Sequence, residues 1–304
     1  MAAFILRRVL WIIPVLFVVS AITFALMHSV PGGPFDREKN LRGGIVQRLN
    51  EKYGLDKPIL EQYVRWVGGL IRLDLGPSYR YENRTVNAIL SEGLPKTIQL
   101  GLQAFFLAVL LGIPLGIIAA LGHNRWPDYL ATAISLIGIA TPSFVLAILL
   151  VIVFSVALDL VPNRGWRGPD TWILPTIALA GYQIAQIARY TRASMLEVTR
   201  KDYIRTAFSK GVRQRWVVIR HMIRNALIPV VTILGPILAF LITGSFIIEY
   251  FFGIPGAGRL YVQSIQGRDY AVIMAATVLY AAVIAIMNLV VDVLYAYIDP
   301  RIRI

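Results

Sequence analysis

The sequence predicts an all-α membrane protein of six transmembrane helices, and three observations carry that prediction. Hydrophobic residues make up 57% of the 304 residues and charged residues only 15%, against about 25% charged in a soluble domain. The mean hydropathy is +0.65. The apolar residues come in runs of the roughly 20 residues a helix needs to cross a hydrocarbon core about 30 Å thick. This pattern excludes a disordered chain, a collagen-like fibre and an ordinary soluble enzyme. The net charge of +13 would suggest nucleic acid in a soluble chain. In a membrane chain it reads as the cations that collect in cytoplasmic loops, and no nucleic-acid partner is expected. With no cysteine, disulfides, thiol catalysis and cysteine-ligated metals are excluded.

The six apolar runs fall at about residues 9–27, 98–121, 129–158, 172–188, 227–248 and 271–298. The first follows Arg7 and Arg8, is too long for a signal-peptide core, and leads into His28-Ser29-Val30-Pro31 without a small-x-small cleavage site, so it reads as a retained helix. Pro142 breaks the third run, Gln183 and Gln186 weaken the fourth, and the sixth holds one acid, Asp292. With the N-terminus in the cytoplasm, fifteen cations fall on inner segments and four on the two short outer loops. The other eleven lie in the long segment 31–97, which largely escapes the charge rule. Both termini are therefore expected inside. The domain reading is an N-terminal transmembrane helix (1–30), an extracytoplasmic segment (31–97), and a five-helix core (98–304) with a cytoplasmic loop at about 194–226.

Two extramembrane segments carry patterns. The outer one opens with Pro31-Gly32-Gly33-Pro34, which cannot continue a helix. After Asp56-Lys57-Pro58, a helix start, Leu60, Tyr63, Val64, Val67, Leu70 and Ile71 recur at helical spacing, with Glu61, Gln62, Arg65 and Arg72 between them. This is a short amphipathic helix lying on the membrane or on other helices, with a docking surface for an external partner as the second reading. The inner segment reads Lys201-Asp202-Tyr203-Ile204-Arg205-Thr206-Ala207-Phe208-Ser209-Lys210-Gly211. Asp202 is expected to cap a short helix and Gly211 to end it with a left-handed residue. A basic stretch, 213–224, then leads through Asn225 and Pro229 into the fifth run. A solvated basic loop touching anionic membrane lipid is the plainer alternative. The glycine turn favours a rigid helix that a partner grips.

The chain lacks the residues for chemistry of its own. No Gly-x-x-x-x-Gly-Lys-Ser/Thr occurs, so there is no P-loop for ATP. His28, His123 and His221 are far apart and no His-Glu-x-x-His occurs, so no metal site is expected. Glycine and proline interrupt the runs at Gly112, Pro114, Gly116, Pro142, Pro175, Gly181, Gly235, Pro236 and Gly244, as in helices that pack closely and rearrange around a pathway, although both residues are common in transmembrane helices. Asp292 is the deepest ionisable residue and is read as a structural partner or a transport group. Glu249, near the outer end of the fifth run, is read as structural or gating.

The inner segment resembles the cytoplasmic loop of ABC importer permeases. Their usual Glu-Ala-Ala-x-x-x-Gly appears here as Arg205-Thr206-Ala207-Phe208-Ser209-Lys210-Gly211, with Arg in place of Glu. That departure, with Asp202-Tyr203-Ile204, Arg220-His221, Asn225-Ala226-Leu227 and Pro229, is similar to the dipeptide and oligopeptide branch. The likeness extends through Phe4-Ile5-Leu6-Arg7-Arg8, Pro31-Gly32, Lys52-Tyr53-Gly54-Leu55, Pro58, Tyr63, Gly76-Pro77-Ser78-Tyr79, Gly244-Ser245, Glu249, Gly253-Ile254-Pro255-Gly256, Gly258, Arg268-Asp269-Tyr270, Val291-Asp292-Val293-Leu294-Tyr295 and Asp299-Pro300-Arg301. It is nearest to the B-type permease subunits of oligopeptide importers.

The resemblance implies a type I ABC importer permease fold in a bacterial or archaeal inner membrane. It implies a second homologous permease subunit, two ABC ATPase subunits and an extracytoplasmic peptide-binding protein. ATP and Mg would be on the ATPase subunits, with no cofactor on this chain. Residues 201–211 would form the helix that couples to an ATPase. Asp202, Tyr203, Arg205, Thr206 and Lys210 would supply contacts, Ala207 a small packing face and Gly211 the turn. Nickel or glutathione import by the same architecture, a stand-alone channel or secondary transporter, and a membrane-bound enzyme are the competing readings.

Overall fold

The computed structural model describes residues 2–31, 33–35 and 43–298. Gly32, Asp299, Pro300 and Arg301, singled out in the sequence, lie outside the described residues, as do the side chains of Phe4, Leu294 and Tyr295. The chain forms two compact units, one of Met1–Thr97 with Pro255–Ile304, the other of Ile98–Ile254. Among the described residues all regular structure is helical, with no strand.

In the first unit, α1 (Ala2–Ser29) packs along α13 (Tyr270–Ile298). Phe24 sits with Tyr270, Ile273 and Met274 at one end of the pair, and Arg8 reaches Asp292 at the other, so the two run antiparallel. Between them in sequence come α2 (Gly43–Tyr53), α3 (Ile59–Ile71) and α4 (Val86–Leu121). The apolar run predicts a start for α4 near residue 98, but the helix begins at Val86 and is 36 residues long, about 54 Å. The added turns hold Ser91, Glu92, Pro95 and Lys96, which mask the pattern. Val86, Ile89 and Leu90 nevertheless recur at helical spacing and bury against Ala257, Ala271, Val272 and Ala275. α12 (Ala257–Gly267) ends at Arg268, which takes a left-handed φ of 52°.

Asp269 follows and caps α13, its carboxylate taking the backbone N–H of Val272 at 3.4 Å. The same carboxylate accepts the Ser78 hydroxyl and, at 3.1 Å, the Tyr79 N–H. Two motifs 190 residues or more apart are thereby joined. Burial, the Asp269 charge and the neighbouring Tyr53 push the Tyr79 phenol up to about 12.

In the second unit, the third apolar run divides into α5 (Trp126–Ala140) and α6 (Ser143–Leu150), the latter continuing as a π-helical segment, Val151–Ala157. The two halves are bent by 107°. Thr141, which precedes Pro142, is extended with ψ 116°, as the proline ring demands of its predecessor. α7 (Pro169–Thr199) is 31 residues long and extends past the predicted 172–188 at both ends. The fifth run also differs from expectation. After α8 (Asp202–Ser209), α9 (Gln214–Trp216), a π-helical segment (Val217–Ile223) and α10 (Arg224–Ile242) make one continuous helix. It stops at Gly244, whose φ is +87°, and α11 (Phe246–Phe252) is a separate short helix.

By length and composition, four helices among the described residues can cross a membrane: Ile5–Ser29, Val86–Leu121, Gln214–Ile242 and Tyr270–Val293. The bent α5–α6 pair is a fifth candidate. α7 is not in that set. Its glutamines and arginines dilute the apolar stretch, and its apolar residues are turned into the unit, with Leu174, Ala178, Leu179 and Ile187 buried.

Candidate functional site

The segment singled out in the sequence folds as a short platform on the second unit. α7 ends at Thr199, and Lys201 takes the N-cap position of α8 with an extended backbone and no side-chain cap bond. This corrects the expectation for Asp202, which is the first helical residue. Its carboxylate still favours the helix start through the dipole, and the Arg205 guanidinium lies 3.9 Å away. Lys201 instead holds Glu197 of α7 at 2.9 Å, which raises the lysine pKa through a hydrogen bond to the carboxylate.

The other end of α8 closes as the sequence predicts. Gly211 has φ +75°. The Gly211 N–H donates to the Phe208 carbonyl at 2.9 Å and the Val212 N–H to the Ala207 carbonyl at 3.2 Å. This is a Schellman closure, with Val212 folding back beside Ala207. Ile204 and Ala207 anchor α8, burying against Met195, Val198, Val217, Met222 and Ala226. Ala207, expected to be a small packing face, is thus turned inward and packs within the unit. The outward surface consists of Asp202, Tyr203, Arg205, Thr206, Phe208, Ser209 and Lys210. Tyr203 is 43% exposed and Phe208 46%, flanking the buried stripe. Phe208 was not foreseen, although placing Ile204 and Ala207 on the inner face of a helical wheel leaves it outside.

The return leg is equally well tied. The Ser194 hydroxyl of α7 donates to the Ala226 carbonyl at 2.8 Å. The Asn225 amide donates to the His221 carbonyl at 2.6 Å. The Arg215 guanidinium lies over the exposed Trp216 ring, 5.8 Å from its centroid. About two turns before the end of α7, Arg192 makes a bidentate pair with Asp128 of α5, at 2.5 Å from Nε and 2.8 Å from Nη2. Asp128 also accepts the Asn124 N–H at 3.0 Å and lies 3.1 Å from His123 Nδ1. This buried carboxylate fixes the α4–α5 corner to α7 close to the platform. Sequence reasoning missed it. An acid in the first turn after Trp126-Pro127 is legible as a helix start, but its partner 64 residues away is not.

The two remaining candidates are carried by other elements. Asp292 in α13 is 2.8 Å from Arg8 Nη1. Glu249 is buried in the first turn of α11. Ser245 caps that helix by accepting the Ile248 N–H at 3.3 Å, and Gly253 closes it with φ 68°. Among the described residues no three His, Cys, Asp or Glu side chains cluster to hold a metal.

Residues 112–304 match the family model described as binding-protein-dependent transport system inner membrane component. Residues 1–101 match the N-terminal model of the same components. The dipeptide transport system permease protein DppB of Bacillus subtilis (strain 168) is 42% identical over 304 residues, covering 100% of this chain and 99% of its own. The oligopeptide transport system permease protein OppB of Escherichia coli (strain K12) is 43% identical over 305 residues, covering 100% of both. The glutathione transport system permease protein GsiC of Escherichia coli O6:H1 is 40% identical over 305 residues, covering 100% of this chain and 99% of its own. Among solved structures, the MetNI methionine ABC transporter in an inward-facing form has a TM-score of 0.59 at 17% identity, covering 69% of this chain and 96% of that one. An amino acid ABC transporter with histidines has a TM-score of 0.56 at 18% identity, covering 69% and 94%. These two establish a shared fold.

Proposed function

The chain belongs to the family of binding-protein-dependent transport system inner membrane components, and from that premise we propose that it is the permease subunit of an ATP-driven importer of dipeptides or oligopeptides. The observation that carries this reading is end-to-end identity above 40% with permeases named for those cargoes. In a bacterial inner membrane, six spans with both termini in the cytoplasm are proposed. They comprise the four long helices, the bent α5–α6 pair and α7. The proposed assembly adds a second, homologous permease, two ATPase subunits carrying ATP and Mg, and an external peptide-binding protein. The absence of a P-loop is consistent with energy supplied by another chain.

In the proposed mechanism α8 seats in an ATPase subunit. Its two-residue anchor and Schellman closure support this, because a lever transmits displacement only if it is fixed to what it moves. Tyr203 and Phe208 provide the apolar contact, and Asp202, Arg205, Thr206 and Lys210 the polar ones. Gly211 sets the angle of the return leg. Approach of the ATPases on ATP moves α8, and with it α7 and α10, to which the platform is tied. ATP shifts the equilibrium toward the outward-open form only through differential affinity for that form. Asp292, paired with Arg8, serves as a structural link rather than a transport group, and Glu249 as a buried group in the α11 turn.

The test is a mild-detergent pull-down of the tagged chain with mass spectrometry of its companions. Co-purification of a second permease and P-loop ATPases supports the reading, and recovery of the chain alone, or with itself only, overturns it. The glutathione relative gives a second cargo reading. Binding of peptides against glutathione by the companion binding protein decides between them.

A further inference from the structure

α3 has three faces. With successive residues 100° apart, Gln62, Tyr63 and Trp66 share one face, and this face lies on α1. The Tyr63 hydroxyl is 2.9 Å from Ser20 Oγ, Gln62 Oε1 is 3.1 Å from His28 Nε2, and the Tyr63 and Trp66 rings pack on Phe24. Leu60, Val64 and Ile71 share the second face with Val67 between them, and they are 74%, 62% and 77% exposed. Glu61 and Arg65 occupy the third face, paired at 2.9 Å, with Lys57 3.4 Å from the same carboxylate. No residue of α3 is buried.

The contacts with α1 give the depth of this helix. Ser20 lies nine residues before Ser29, about 13 Å inside the end of a membrane-crossing helix. At this level α1 itself presents Val18, Ile22 and Leu26 outward. An aliphatic stripe fully exposed to water at that depth is not tenable. Protein on one face, aliphatic residues on the second and ion pairs on the third is the arrangement of a helix lying in the plane of a membrane interface.

We propose that α3 lies in the leaflet at the Ser29 end of α1, with Leu60, Val64 and Ile71 among lipid acyl chains and Lys57, Glu61 and Arg65 in the headgroup layer. This lipid contact extends the apolar surface of α1 and does not depend on the cargo. The chain contains no cysteine, so each of Leu60→Cys, Val64→Cys, Ile71→Cys, Glu61→Cys and Arg65→Cys carries this chain's only nitroxide label, with companion subunits made cysteine-free. The full chain, co-expressed with its companions, is reconstituted in phosphatidylethanolamine–phosphatidylglycerol vesicles. Collision rates are then read with oxygen, which partitions into lipid, and with a water-soluble nickel chelate. Oxygen collisions several-fold above chelate collisions at 60, 64 and 71, with the order reversed at 61 and 65, are expected. Chelate access along the stripe overturns the proposal. Protection of the stripe from both reagents overturns it too, and would assign the stripe to a protein partner.

Discussion

Gly211 separates two roles that one side chain can rarely separate. A Cβ at this position meets nothing within 4 Å, so Gly211→Val is opposed by backbone conformation rather than by crowding at the Cβ. It removes only the ease of a φ of +75°, a cost of about 1–2 kcal/mol for a residue with a side chain, somewhat more for a β-branched one. The expected result is a chain that inserts and assembles into a complex that still hydrolyses ATP on its ATPase subunits but imports little. Gly211→Asn should retain more uptake, because Asn visits the left-handed region more readily. Wild-type uptake by the valine variant, assayed in parallel with ATPase rate, would refute a coupling role for the turn. Asp128 and Arg192 allow a sharper test, because their burial is unequal, the side chains being 4% and 30% exposed. Arg192→Ala strands a buried carboxylate and should cost toward the about 3–5 kcal/mol of a broken buried pair. Asp128→Ala strands a cation that can still reach water and should cost less. Melting temperatures of both variants in detergent check the order. Gly211 was legible because a positive φ leaves a mark in residue type. The Asp128 pair was not, since only folding brings its two halves together.

At the scale of elements, α7 is gripped through missing side chains. A Cβ on Gly116 of α4 would stand 2.5 Å from the Ala188 carbonyl oxygen and 2.5 Å from Thr191 Cβ, and one on Gly112 would stand 2.8 Å from Ile187 Cβ. The two glycines are four residues apart, the spacing that lets membrane helices approach closely. On another side, a Cβ on Gly138 of α5 would stand 2.9 Å from Ala185 Cβ. Because the obstructions are largely backbone and Cβ atoms, Gly116→Val cannot be relieved by a rotamer change. It should lower stability by at least the about 1–3 kcal/mol of core overpacking. Gly68→Ala in α3, where a Cβ has open space, is the matched control and should be neutral or slightly stabilising. Equal melting temperatures for the two variants would remove the close-packing argument. The sequence located these elements unevenly. Long apolar runs and the broken helix at Pro142 were legible, because hydropathy and proline act locally. The extent of α4 and the stop at Gly244 were less so, since tertiary burial of Val86 and Ile89 extends one helix and a glycine turn cuts the other within an unbroken apolar run.

At the scale of the whole molecule, the parity of membrane crossings decides on which side the platform stands. The 107° bend between α5 and α6 admits two paths, a broken span or a re-entrant turn that leaves on the side it entered. α7 then follows on opposite sides in the two cases. If α5–α6 crosses, the segment after α7 faces the same side as the N-terminus. If it is re-entrant, that segment faces the other side. The ten cations of residues 189–224 weigh on this choice, since translocating a short, dense basic segment opposes the orientation bias set by lysine and arginine. Crossing is therefore expected. A cysteine replacing Lys210, unique in the chain, should resist an impermeant maleimide in intact cells and react once the inner membrane is opened. One replacing Arg164, between α6 and α7, should react in intact cells. Both residues are exposed on this chain, and reaction of position 210 once the inner membrane is opened separates the side of the membrane from cover by a partner subunit. If the pattern is reversed, with position 210 reacting in intact cells and 164 not, the bend is a re-entrant loop. The platform would then stand outside, and α8 could not be the contact for a cytoplasmic ATPase.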